Sequence, residues 1–109
     1  MARVLALVPD LLFGSKLQAM LAAAGHEVEL VATAEAARAR APASDVAVVD
    51  LTGGEFDPSG IVGSVPTLAF YSHVEADVRQ RAEQAGYDLV VPRSRMAREG
   101  AELVGRLVR

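Results

Sequence analysis

Residues 44–51 read SDVAVVDL. The centre of this stretch, Val46-Ala47-Val48-Val49, is an unbroken apolar run that opens after Asp45 and closes on Asp50. Continuous rather than alternating apolar residues suit a strand covered on both faces, as in a parallel sheet. An ionised carboxylate directly after such a run is costly unless the strand end offers it partners. Two readings of Asp50 stand at this point. It is a switch carboxylate, or it is an acid accepting hydrogen bonds from the Thr52 or Gly53 amides in an Asx-type turn.

Working outward, four more apolar runs occur at fairly even intervals: RVLALV (3–8), EVELVAT (27–33), VPTLAFY (65–71) and YDLVV (87–91). Helix-like segments lie between them. Residues 11–24 set Phe13, Leu17, Met20, Leu21 and Ala24 on one stripe, with Asp10 as N-cap and Gly25 as the stop. Residues 34–41 are Ala-rich and end at Pro42, and residues 58–64 make a short, Gly-rich, poor helix. Residues 75–85 carry Val74, Val78, Ala82 and Ala85 on one side and stop at Gly86; residues 95–108 turn Met96, Leu103, Val104, Leu107 and Val108 inward. TGGEFDPSG (52–60) reads as a loop. Five alternations of strand and helix call for a parallel sheet with helices on both faces, joined by right-handed crossovers. In such a sheet the chemistry gathers at the carboxyl ends of the strands. Those ends are Val8-Pro9-Asp10, Asp50, Tyr71-Ser72-His73 and Pro92-Arg93-Ser94.

Bulk properties narrow the class. With 109 residues, 51% hydrophobic and 23% charged, the chain is sized for one globular domain. A net charge of −3 leaves no basic excess for nucleic acid. With no cysteine, disulfides, thiolate metal sites and cysteine nucleophiles are excluded. No apolar run is long enough to span a membrane, and the N-terminus lacks the features of a signal peptide, so a cytoplasmic location is expected.

These strand ends resemble the receiver domain of two-component response regulators. Two stretches carry the likeness, SDVAVVDL and VPTLAFYSHVEADVRQRAEQAGYDLVVPRS (65–94), and the match covers nearly the whole chain. The resemblance implies a flavodoxin-like (βα)5 three-layer sandwich with strand order 2-1-3-4-5. It places Asp50 at the phospho-accepting aspartate. A receiver also needs oxygen ligands for Mg²⁺, a hydroxyl ending strand four and a Lys after strand five. Here the acidic pair falls on Val8 and Pro9, which offer no side-chain oxygen. Asp10 stands one place later and serves only if the turn is re-shaped. The hydroxyl position falls on Tyr71, with Ser72 beside it, and the Lys position on Arg93, which keeps the charge but not the compact ammonium. The family's activation-reporting aromatic falls near Tyr87 or Val90. The resemblance is therefore to a degenerate, or pseudo-, receiver. No cofactor is implied, save Mg²⁺ if Asp10 substitutes for the missing pair.

Each residue has a plainer reading. Asp10 is a helix N-cap before it is a metal ligand. Arg93 either pairs with Asp50 across the strand ends or is solvated. His26 begins strand two at the surface, and His73 lacks a second ligand for a metal. Thr52, Gly53 and Gly54 form a weak candidate loop for an anion or small ligand. Dinucleotide, phosphate-loop, cobalamin and Ser-elbow motifs are all missing, so catalysis has little support.

The expected function is a stand-alone, receiver-like signalling module without an output domain. It would act by docking on a histidine kinase or other signalling protein, or as a homodimer through residues 74–109, where mixed charges suit intersubunit ion pairs. Asp50, Arg93 and Tyr71 or Ser72 would form a fixed polar cluster. The alternatives are a small-ligand or nucleotide-binding flavodoxin-like domain, and an active phospho-accepting receiver at Asp50.

Overall fold

The computed structural model describes residues 2–52, 60–72 and 76–108. Five strands form one parallel sheet: β1 (Arg3–Leu7), β2 (Glu27–Val31), β3 (Val46–Asp50), β4 (Thr67–Tyr71) and β5 (Leu89–Pro92), in the order β2-β1-β3-β4-β5. Four α-helices accompany them: α1 (Leu11–Ala23), α2 (Ala34–Arg40), α3 (Ala76–Ala85) and α4 (Arg93–Leu107). The strand order expected from the sequence is the observed one.

Position in the sheet explains the apolar patterns. β3 and β4 lie inside it, and every residue of both is buried. β2 is an edge strand, and its alternating EVELV exposes Glu27 and Glu29. Successive side chains point to opposite faces. Val4, Ala6, Val46, Val48, Leu68 and Phe70 meet Phe13, Leu17 and Leu21 of α1 and Met96, Leu103 and Val104 of α4. On the other face Leu5, Leu7 and Ala47 pack on Ala37 of α2, while Val49, Ala69 and Tyr71 pack on Val78 and Ala82 of α3. Helices therefore cover both faces.

Local chemistry sets the boundaries. Asp10 caps α1, its carboxylate accepting from the Leu12 and Phe13 amides. Gly25, at φ 92°, reverses the chain so that its own amide and that of His26 reach the Ala22 and Leu21 carbonyls. Thr33 caps α2 through its Oγ1. The strand starts are held by acids that precede neighbouring strands. Arg3 N donates to Asp45 Oδ2 at 2.8 Å, and Thr67 N donates to Asp88 Oδ2 at 2.8 Å. His26 likewise serves a strand start, its Nδ1 accepting from Ala2 N at 3.2 Å rather than merely facing solvent.

Two expectations need correction. The described part of the expected 58–64 segment is not helical: residues 60–66 turn and form a Val62–Val65 bridge. Glycines at 60 and 63, both at positive φ, break the helical path there. The last helix begins at Arg93 rather than 95, because Pro92 in an extended conformation stands as its N-cap. No helix among the described residues is long and apolar enough to cross a membrane.

Candidate functional site

At the carboxyl end of β3, Asp50 is the one buried acid among the described residues, 8% exposed. Its Oδ1 accepts from Thr52 N at 2.8 Å and from Thr52 Oγ1 at 2.6 Å. This is the Asx-type arrangement, with the Thr52 amide in its expected role. A hydroxyl and an amide converge on one oxygen and offset its desolvation. Gly53 and Gly54, the rest of the candidate loop, lie outside the described residues, as does His73.

Beside Asp50, the end of β1 is hydrocarbon. In register Leu7 stands opposite Val49, so Val8 and Asp50 are the next residues on their two strands. Val8 is 4% exposed and belongs to the core cluster with Phe13 and Phe70. Pro9 is exposed and brings only a carbonyl.

Asp10 has both carboxylate oxygens engaged. Oδ1 accepts from Leu12 N at 3.0 Å and Phe13 N at 3.2 Å, while Oδ2 accepts from Arg93 Nη2 at 3.1 Å. The Phe13 amide, followed by the Arg93 guanidinium, holds the Asp10 carboxyl below its ordinary value of 3.8. Arg93 is further fixed from beneath. Its guanidinium carbon lies 4.3 Å from the centroid of the Phe13 ring, and Phe13 meets Phe70 at 5.1 Å in a tilted pair. Phe70 in turn pairs in register with Asp50 across β3 and β4. The chain of contacts runs Asp10, Arg93, Phe13, Phe70.

The structure thus brings together some of the sequence-derived residues and separates others. Asp10 and Arg93 meet. Arg93 pairs with Asp10 and not, as one expectation had it, with Asp50. Tyr71 turns to the other side of the sheet, 5% exposed, among Val49, Val78, Ala82 and Tyr87. Ser72 is half-buried just beyond β4. No bond among the described residues joins Asp50 to Tyr71, Ser72 or Arg93; of the strand-end polar residues Asp10, Tyr71, Ser72 and Arg93 the bonded pair is Asp10–Arg93, and Asp50 pairs separately with Thr52. Phe13 was missed as a site residue. Its place on the buried stripe of α1 gave it a core role, and nothing local said that a cation would cover its outer face.

Among the described residues no group of three His, Cys, Asp or Glu is placed to hold a metal ion. On the α3 and α4 surfaces, charges pair within their own helices: Arg79 with Glu83, Arg81 with Asp77, Arg95 with Glu99 and Arg106 with Glu102.

No family model matches the chain, and no curated protein does. Solved structures do. The receiver domain of a Francisella response regulator is similar over 98% of this chain and 96% of its own, with a TM-score of 0.80 at 14% identity. A response regulator from Burkholderia multivorans covers 98% of this chain and 95% of its own, with a TM-score of 0.74 at 23% identity. An orphan response regulator of H. pylori covers 98% and 96%, with a TM-score of 0.78 at 14% identity. Likeness at these identities establishes architecture, and the architecture of this chain is that of the response-regulator receiver domain.

Proposed function

We propose that this chain is a receiver-like signalling module, not an enzyme, that acts by docking on a partner protein. In this reading its strand-end site is held by a fixed ion pair in place of Mg²⁺-dependent phosphorylation at Asp50. The observation that carries the proposal is the Arg93 guanidinium, bonded to Asp10 at 3.1 Å and stacked 4.3 Å from the Phe13 ring.

Mg²⁺ demands a near-octahedral set of oxygens and gives up its water reluctantly. Asp50 supplies carboxylate oxygen, but the two positions that would complete the set are a core valine and a proline. For Asp10 to substitute, the ion has to compete with Arg93 at Oδ2, the oxygen that does not cap α1. A guanidinium stays charged at any physiological pH, so the pair does not toggle with protonation. The site is then a constant feature of a docking surface, and the partner is a histidine kinase, another signalling protein or a second copy. For residues 74–109, intrahelical pairing already satisfies most of the charges that would specify a dimer, which lowers their value across an interface.

Calorimetric titration with Mg²⁺ in the presence of beryllofluoride tests the reading. No saturable binding is expected. Saturable binding that Asp50→Asn abolishes would contradict it.

A further inference from the structure

α1 and α4 cover the same face of the sheet and touch at two levels. At the strand ends Asp10 meets Arg93. Further along α4 comes Gly100, buried, which has no side chain and leaves a notch in the seam. A Cβ built there would stand 2.5 Å from Met20 Cε, 3.1 Å from Met96 Cε and 3.6 Å from Leu17 Cδ1. Two thioether ends, one from each helix, close on that space. Their access to solvent differs. Met96 is 0% exposed, while Met20 is half-buried at the rim of the core. The chain has no cysteine, so methionine is its sulfur chemistry.

We infer that Met20 and Met96 are an ordered pair of oxidation sites for a hydroperoxide, Met20 reacting first and its oxidation giving access to Met96. In the first step the Met20 sulfur lone pair attacks one peroxide oxygen, and the O–O bond breaks. That oxygen stays on sulfur as the sulfoxide. The other leaves with the proton, as water from hydrogen peroxide or as an alcohol from an alkyl peroxide. Sulfur gives up two electrons and the peroxide takes them. A second peroxide repeats the same balance at Met96.

The order follows from access and packing. Oxidation turns a flexible apolar side chain into a polar one. The cluster that Met20 packs against is hydrocarbon, with Leu17, Leu21, Leu103 and Val104 among its members. A sulfoxide oxygen kept among them has no donor, which is costly, so the side chain turns out to water. Gly100 has no atoms with which to fill the vacated notch. The cover over Met96 is then open. Two independent methionines would behave differently, because a buried Met96 would react only through opening of the whole fold, at a rate blind to residue 20.

Asp50 takes no part in this chemistry, and its failure would leave the Asp10–Arg93 reading intact.

Peptide mapping by mass spectrometry after timed exposure to hydrogen peroxide tests the inference. Wild type is compared with Met20→Leu, a swap that nearly conserves volume. In the wild type, Met20 should take up oxygen about tenfold faster than Met96, whose uptake should begin after a lag. In Met20→Leu, Met96 should oxidise about tenfold more slowly than in the wild type. Protein oxidised at Met20 alone should unfold at lower urea concentration, and treatment with methionine sulfoxide reductases should restore the midpoint. Should Met20→Leu fail to fold, the wild-type lag and the urea midpoint still decide. Met96 uptake without a lag, an equal Met96 rate in folded Met20→Leu, or a urea midpoint unchanged by Met20 oxidation would each overturn the inference.

Discussion

Arg93 reaches across from the start of α4 to Asp10 at the start of α1, Nη2 to Oδ2 at 3.1 Å, joining two helix N-termini 83 residues apart. The pair is half-exposed, 38% and 41% of the two side chains remaining accessible. Its ionic part alone is worth no more than about 1 kcal/mol. The Phe13 ring beneath the guanidinium adds about 0.5–1 kcal/mol. Arg93→Ala should therefore lower stability by about 1–2 kcal/mol in urea unfolding. A double-mutant cycle with Asp10→Asn should return a coupling of about 0.5–1 kcal/mol. Zero coupling would mean that the pair does not hold in solution.

Asp10 has two separable duties. Asp10→Ala removes the cap as well as the charge and should cost about 1 kcal/mol more than Asp10→Asn, since asparagine caps a helix as well as aspartate does. Equal losses for the two variants would show that the cap contributes nothing.

Acid dependence follows from the same residue. The folded Asp10 carboxyl sits below its usual value of 3.8, chiefly through the Phe13 amide and then Arg93. A lowered folded value means stability that is complete above 3.8 and is lost as pH falls through the folded value. The stability difference between wild type and Asp10→Asn should thus be largest above about pH 5 and shrink on acidification through that window. A difference that grows on acidification would contradict the sign.

Val8 marks where the metal ligands would be. It is 4% exposed and packed with Phe13 and Phe70. Val8→Asp should cost about 3 kcal/mol or more, as a buried acid without partners does. If added Mg²⁺ restored that loss, the site would need only one residue to regain its ion.

Two glycines of α4 test the packing of its two sides. Gly105 has nothing within 4 Å of where a Cβ would stand, so Gly105→Ala should stabilise by about 0.5–1 kcal/mol. At Gly100 the same atom would come 2.5 Å from Met20 Cε and 3.1 Å from Met96 Cε. Gly100→Ala should therefore forfeit most or all of that helical gain, although both contacts are ends of flexible side chains. Equal gains at both positions would show that the Met20 and Met96 side-chain ends yield at no cost.

Most of the architecture was legible from apolar runs. VAVVD and TLAFY are continuous because both faces are covered, and EVELV alternates because its edge position leaves one face open. The segment at 58–64, already poor as a helix, is not helical among its described residues. The start of α4 was hidden because Arg93-Ser94 carries no capping signal and Pro92 alone had to mark it. Site residues were legible as strand ends, not as partners. Nothing in a sequence says which of two neighbouring carboxylates a guanidinium will choose. Here the Phe13 ring decides, because it supports Arg93 on the α1 side, next to Asp10. Strand alternation, visible in advance, does explain Tyr71: with Phe70 directed at α1, the next residue must face α3.

The most direct measurement is intact-mass analysis of the protein after incubation with acetyl phosphate and Mg²⁺, beside Asp50→Asn treated alike. The account predicts one unmodified mass for both proteins. A phosphoryl adduct on the wild type that is missing from Asp50→Asn would contradict it, because a carboxylate accepting phosphate from that donor must have assembled the cation site that Val8, Pro9 and the Arg93–Asp10 pair are here argued to deny.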